Sequence, residues 1–431
     1  MAQTTQDKRG GIWTLNGGIW RADVPTYTHG SAYMFYDPLI GTNSVGEKAF
    51  AGGAGGLIET LSVGASPANT SNGTNGSSGW FFTFAATAPT VYNDATRGKV
   101  LFNNYGSGMT DLDATKGYGF ASGVPEDTDL YYSRWVRGVL KTTGGADFPP
   151  SSAVQWKFHR PNFTNGVSDD SDTNTGQEIF SAISYNSNGR QVRIENNAGL
   201  FTGTATSGTV NSFTDSTANW GVNMHKNKRL QLTHGVTNSF GVVASNTATT
   251  ITLVGTVPAV VAGDTYSIGV QQDFYGSSGL VPAPNSGWFH VEQFIHTSHQ
   301  GLADGSYTIR YRQGGVVVDD VRTNIPIYGG TKRFFWMQAQ DYFGGYGSPM
   351  TLKEAYSDDI FTQYGSTKRV VITDNTNIDL ATVYEIQNWT TWSGGVVSGT
   401  INKGAITSGN YYVCVVTGPN TVLWSSPITL T

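Results

Sequence analysis

The chain has 431 residues, of which only 13% are charged, and its net charge is −5. That is about half the charged fraction usual in soluble globular chains. No Lys/Arg run is long enough to follow a phosphate backbone, and no apolar run approaches the ~18 residues of a membrane helix, so nucleic-acid binding and membrane insertion are not expected.

Fifty-five glycines, frequent N-G, S-G and D-G turns, and the absence of any long 3.6-residue apolar period predict an all-β chain of short strands. With 11 Trp, 21 Tyr and 21 Phe beside so few charges, the composition suits an extracellular or virion protein. The N-terminus lacks the apolar core of a signal peptide, which predicts synthesis in a host cytoplasm and release on a virus particle, or alternatively an extracellular protein whose leader is missing. The lone Cys414 lies between valines and reads as a buried small hydrophobe.

In chain order, residues 1–55 carry the repeat G-G-I-W, ending at Trp13 and Trp20, then A-Y-M-F-Y-D-P. Glycine-rich stretches follow from Ala51 and from Ala68 to Gly79. This segment reads as an N-terminal arm that anchors the protein to other virion components. From Trp80 onward alternating segments are dense, including Tyr131–Leu140, Val154–His159, Glu178–Tyr185 and Arg190–Glu195. Trp288 to Tyr311 reads as two strands flanking a turn at Asp304-Gly305. Trp288, His290, Glu292, Phe294 and His296 share one face of the first strand, and the more apolar Phe289, Val291, Gln293 and Ile295 the other. The second set is assigned to the core. The first is then displayed, with aromatics to stack on sugar rings and polar groups to bind hydroxyls, and Arg134 and His159 are placed on nearby strands.

The order Y-Y-S-R-W-V, W-K-F-H-R, W-F-H-V-E-Q-F-I, A-D-G-S-Y-T-I-R-Y and S-D-D-I-F resembles the concanavalin A-like jelly-roll group, which includes legume-type lectins, laminin G-like modules and polysaccharide lyases. The resemblance implies a discontinuous sandwich over 56–205 and 271–368. Between these, residues 206–270 resemble a small β-module recurrent in phage tail and surface proteins, and 369–431 resemble an immunoglobulin-like C-terminal module.

Within that group, lyase chemistry on uronic-acid polymers needs a carboxylate neutraliser, a base and an acid. Arg134, His159, Gln293, His296 and Tyr311 are the residue types available for those roles. The R-x-E-L-R and Y-F-K-A-G motifs of such lyases are absent, as is the E-x-D-x-x-E of a retaining glycosidase. His290 and His296 stand about 20 Å apart along a strand, too far to share a metal. No cofactor is therefore expected, with calcium at Asp358-Asp359 the one candidate, although neighbours on a regular strand point to opposite faces. The sequence reads best as a virion surface protein, a tail fibre or capsid decoration, displaying a glycan-binding jelly roll in many copies as a homo-oligomer or array. A polysaccharide lyase and a bacterial surface lectin are the alternatives.

Overall fold

Period-two alternation, with turns every few residues, leaves the chain no stable solution except paired sheets. In the computed structural model every strand pairing is antiparallel, and no helix occurs among the described residues. Side chains are described mainly over residues 90–102, 124–139, 201–268, 285–327, 354–387 and 404–430, apart from isolated positions; elsewhere only the course of strands is described.

The main sheet has eight strands. Its order is Val316–Ile325, Gly305–Gln313, Phe289–His296, Asp129–Thr142, Met350–Tyr364, Gly98–Asn104 and Thr90–Asp94. Tyr33–Asp37 also pairs with the end of the Met350–Tyr364 strand. A nine-stranded sheet takes the intervening segments, among them Trp80–Phe84, Val154–Thr164, Ile179–Asn186 and Arg333–Gln338. The chain passes back and forth between these two sheets, as the expected jelly-roll sandwich requires. Gly314 and Gly315 close the hairpin between Gln313 and Val316 with φ of 56° and 79°. Positive φ at both turn positions matches the twist of the strands and is strained for other residues.

The insertion folds as its own seven-stranded sheet, beginning at Phe201–Thr204, a few residues earlier than expected, and closing at Thr265–Ile268. Its core gathers Phe213, Leu230, Leu232, Val243, Ile251, Tyr266 and Ile268. Tyr266 donates a 2.6 Å hydrogen bond to Asp215, satisfying the hydroxyl inside that core.

The two ends of the chain depart from the expected plan. Residues 369–431 supply a four-stranded sheet, Tyr384–Gln387, Arg369–Thr373, Gly409–Thr417 and Thr421–Leu430. Their other strands, Thr391–Ser393 and Val396–Thr400, do not form a second sheet alone. Ile19–Asp23 pairs with Val396–Thr400, from Ile19 opposite Thr400 to Asp23 opposite Val396, and Ile12–Asn16 and Gln3–Gln6 extend the sheet. The segment 1–55, read as an arm anchoring the protein to other virion components, contributes strands to two sheets of its own molecule. The physical reason is that a bare edge strand leaves a row of backbone donors and acceptors unmet. Val397, from this second sheet, packs in one cluster with Val370, Ile372, Val413, Val415 and Trp424 of the first.

Candidate functional site on the main sheet

The strand Phe289–His296 is buried on both faces, not one. Phe289, Val291, Gln293 and Ile295 are buried as expected for the core side. His290 and Glu292 are buried too, at 1% and 0% exposure, and Phe294 at 7%, where display to solvent was expected. The cover is the four-stranded C-terminal sheet. Tyr131, Phe294 and Phe361 of the main sheet form one apolar cluster with Val371, Ile378, Tyr384, Ile386, Cys414 and Val416. Alternation predicts which residues share a face; it does not say whether another layer lies on that face.

Beneath this cover the polar groups are matched across the interface. Glu292 accepts from the Arg369 guanidinium at 2.9 Å, from the Tyr131 hydroxyl at 2.7 Å and from the Tyr384 hydroxyl at 2.9 Å. Burial by itself would raise its carboxyl, but Arg369, with Arg312 and Arg310, draws it down to about 2. The His290 ring lies 5.1 Å from both Trp135 and Tyr384, and burial pushes it down to about 3, so the imidazole is neutral. Arg312 donates to the carbonyls of Ile378 and Ala381, with its guanidinium 4.3 Å over Tyr384. Arg310 pairs with Asp319 on the neighbouring strand and reaches Asp379 and the Pro419 carbonyl of the C-terminal module.

Of the residues available for lyase roles, Arg134, Gln293 and Tyr311 share one buried face of the main sheet, and His296 does not join them. Arg134 and Tyr311 both stand opposite Val291 in the sheet, and Gln293 shares that buried face. His296 lies on the other face at the strand end, 38% exposed, its two ring nitrogens 2.9 Å from Asp129 and 3.1 Å from Asp127. His159 belongs to the Val154–Thr164 strand of the nine-stranded sheet, and its side chain lies outside the described residues.

Asp358 and Asp359 point toward one partner despite being adjacent, because the register slips where Ser133 faces Phe361 and Trp135 faces Asp358. This bulge turns Asp359 to a left-handed φ of 48°, a conformation aspartate tolerates better than most residues. Both carboxylates meet Arg97, which also binds Glu385 of the C-terminal module through both nitrogens at 3.0 and 2.9 Å. Trp135 donates its indole N–H to Glu385 at 3.0 Å and lies under the Arg97 guanidinium at 4.4 Å. The aspartate pair considered for calcium is thus met by a guanidinium. Among the described residues no group of three or more His, Cys, Asp or Glu is arranged to hold a metal. Gly404 is required beside this cluster, because a Cβ there would stand 2.4 Å from the Glu385 carboxyl carbon.

Beyond the edge of the C-terminal cover, the same sheet face carries an aromatic row. Arg137 faces Tyr356, and Tyr356 faces Phe102, on three neighbouring strands. Trp288 extends the row at one end, and Tyr92 packs on Phe102 and Tyr356 at the other, with centroids 5.3 and 5.6 Å apart. The Arg137 guanidinium sits 3.9 Å over Tyr356 and 5.2 Å over Trp288, and pairs with Asp94 at 2.8 Å. Tyr92 is 41% exposed and the Arg137 side chain 24%, Trp288 and Phe102 are half-buried, and Tyr356 between them is 5% exposed. Of these, the sequence reading named only Trp288. Arg137 was legible in Y-Y-S-R-W-V-R as sharing a face with Trp135; Tyr92 and Phe102 stand on strands that no motif marked.

No family model matches the sequence, and no curated protein sequence matches it. Solved structures similar to it include an alginate lyase from Aplysia kurodai, with 10% identity, 66% of this chain and 89% of that chain covered, and a TM-score of 0.34. An endo-β-1,4-glucuronan lyase from the fungus Trichoderma reesei is similar over 67% of this chain and 93% of its own, with 12% identity and a TM-score of 0.33. The binding domain of botulinum neurotoxin serotype G covers 78% of this chain and 68% of its own at 8% identity, with a TM-score of 0.30. At TM-scores this low, the fold assignment rests on the strand pairing described above.

Proposed function

We propose that the protein is a non-enzymatic surface component of a bacteriophage-type particle that binds polysaccharide on the uncovered end of its main sheet. The observation that carries the glycan reading is the row Trp288, Arg137, Tyr356, Phe102 and Tyr92. From Trp288 to Phe102 it crosses three strand spacings, roughly 14 Å. Aromatic faces suit the apolar faces of sugar rings, and Arg137 and Glu354 stand beside them as hydroxyl partners. His290, Glu292 and Phe294, proposed from the sequence as contacts, lie under the C-terminal sheet, so binding is assigned to the uncovered row, with Trp288 common to both. The particle reading is supported by the low charge, the glycine content and the phage-like insert. A multimer or array would raise the avidity of such a shallow site.

Binding is tested on a glycan array and then by calorimetry. Trp288→Ala and Tyr92→Ala are each expected to weaken affinity about tenfold, which is about 1.4 kcal/mol. Both side chains are partly exposed, so the melting temperature should hardly change. Native affinity in both variants would remove the platform from the reading. Release of unsaturated uronides from acidic polysaccharides would make the protein a lyase instead. Absence of the protein from purified particles would overturn the virion role.

A further inference from the structure

We infer that Arg97, Asp358, Asp359 and Glu385 form a proton-operated lock that holds the C-terminal sheet on the main sheet, tight at acidic pH and loosened progressively as the pH rises toward and through neutrality. The lock is independent of the glycan reading, because it lies within the covered interface. Three carboxylates surround one guanidinium, and all four side chains are at most 3% exposed. Fully ionised, the cluster would hold two negative charges in excess inside a dry interface, which is strongly unfavourable. A retained proton relieves this. Asp359 and Glu385 both bind the same terminal nitrogen of Arg97, at 2.8 and 2.9 Å, which holds the two carboxylates close enough for a shared proton to relieve their repulsion.

Among the described residues, Arg97 is the one cation paired with these three carboxylates. On the turn before the Gly98–Asn104 strand, Asp94 is already paired with Arg137. From the Asp129–Thr142 strand, Trp135 is an uncharged donor, while Arg134 points to the opposite face and donates to the Ser357 hydroxyl. His290, on the next strand, is neutral through burial. From the C-terminal module, Tyr384 is held protonated by burial, and the Ala405 backbone N–H donates to Glu385. Arg312 acts on the Tyr384 and His290 side of the interface, where it sits over the Tyr384 ring.

The direction follows from linkage. Burial lifts Asp358 to about 7 despite Arg97, and burial together with the Asp358 charge holds Asp359 well above the usual carboxylate range. Burial would raise Glu385 as well, but Arg97 draws it below its ordinary value, so it stays the ionised partner. A raised carboxyl stabilises the closed state fully below the open-state pKa, near 4. That contribution is lost as the pH rises through the closed-state value.

The test is hydrogen exchange on the full chain from about pH 5 to about pH 9, corrected for the intrinsic rate. Peptides over Tyr384–Gln387 and Arg369–Thr373 report the interface, and the insert strand Thr237–Asn246 serves as reference. The interface opening constant is expected to rise roughly tenfold per pH unit for one proton across the lower part of this range. The reference strand should show no such rise. Asp359→Asn mimics the protonated side chain, tolerates left-handed φ, and should flatten the profile. A native profile that is flat or falls with pH, or an unchanged slope in Asp359→Asn, overturns the lock. Should that variant not fold, Asp358→Asn carries the same test: a reduced slope supports the lock and the native slope overturns it.

Discussion

Replacing Arg369 with alanine is expected to destabilise the protein by about 3–5 kcal/mol, the range for breaking a fully buried ion pair. Glu292 would remain behind at 0% exposure, keeping only two neutral hydroxyl donors, Tyr131 and Tyr384, where it now also faces a guanidinium. Arg369 also donates to the Tyr384 hydroxyl at 2.9 Å and to the Gly418 carbonyl at 2.7 Å, and stacks over Tyr131 and Phe294. Its loss therefore frees acceptors on both sides of the interface. Chemical denaturation of Arg369→Ala, Glu292→Leu and an Arg369→Met/Glu292→Leu double variant checks this. The double variant should recover most of the loss, since an apolar pair of similar volume carries no stranded charge. If Arg369→Ala costs under about 1 kcal/mol, the pair behaves as an exposed one and the interface is more hydrated than described. The pH sign is opposite to that of the Asp359 lock. Glu292 is drawn down to about 2, so its contribution is complete above the usual carboxylate range and is lost as pH falls through about 2.

Trp424→Ala is expected to cost about 3–5 kcal/mol, the range for deleting a large aromatic from a core. Trp424 is 1% exposed and packs among Val370, Ile372, Val397, Val413 and Val415. Val397 lies in the strand that pairs with Ile19–Asp23, so the cavity should loosen the N-terminal strands along with the C-terminal ones. Limited proteolysis should then show residues 12–23 and 391–400 becoming cleavable together, while the insert around Leu230 and Ile251 stays protected. Loss of protection at one chain end alone would mean that the two ends do not fold as one unit.

Much of the architecture was readable from the residues. The alternation in Trp288–Tyr311 and the separate character of residues 206–270 follow from local chemistry, period two and compositional breaks, whereas Gly305, read as part of a turn with Asp304, opens the second strand. The face to which each side chain belongs follows from the same period, and in Phe289–His296 the two sets are as alternation requires. Three features depended on tertiary packing. Whether His290, Glu292 and Phe294 meet solvent or a second layer depends on where residues 369–431 dock, and strand period carries no information about docking. Asp358 and Asp359 share a partner only because a bulge arises from pairing with Ser133 and Trp135, a register two distant segments set jointly. Arg97 and Glu385 are 288 residues apart, with no motif around either to mark the contact. By itself the sequence determined the all-β class and the composition of each strand face, because backbone geometry acts over neighbouring residues. Only the tertiary structure decided which face was covered and which aromatic row stayed open, because burial is a property of what packs from elsewhere in the chain.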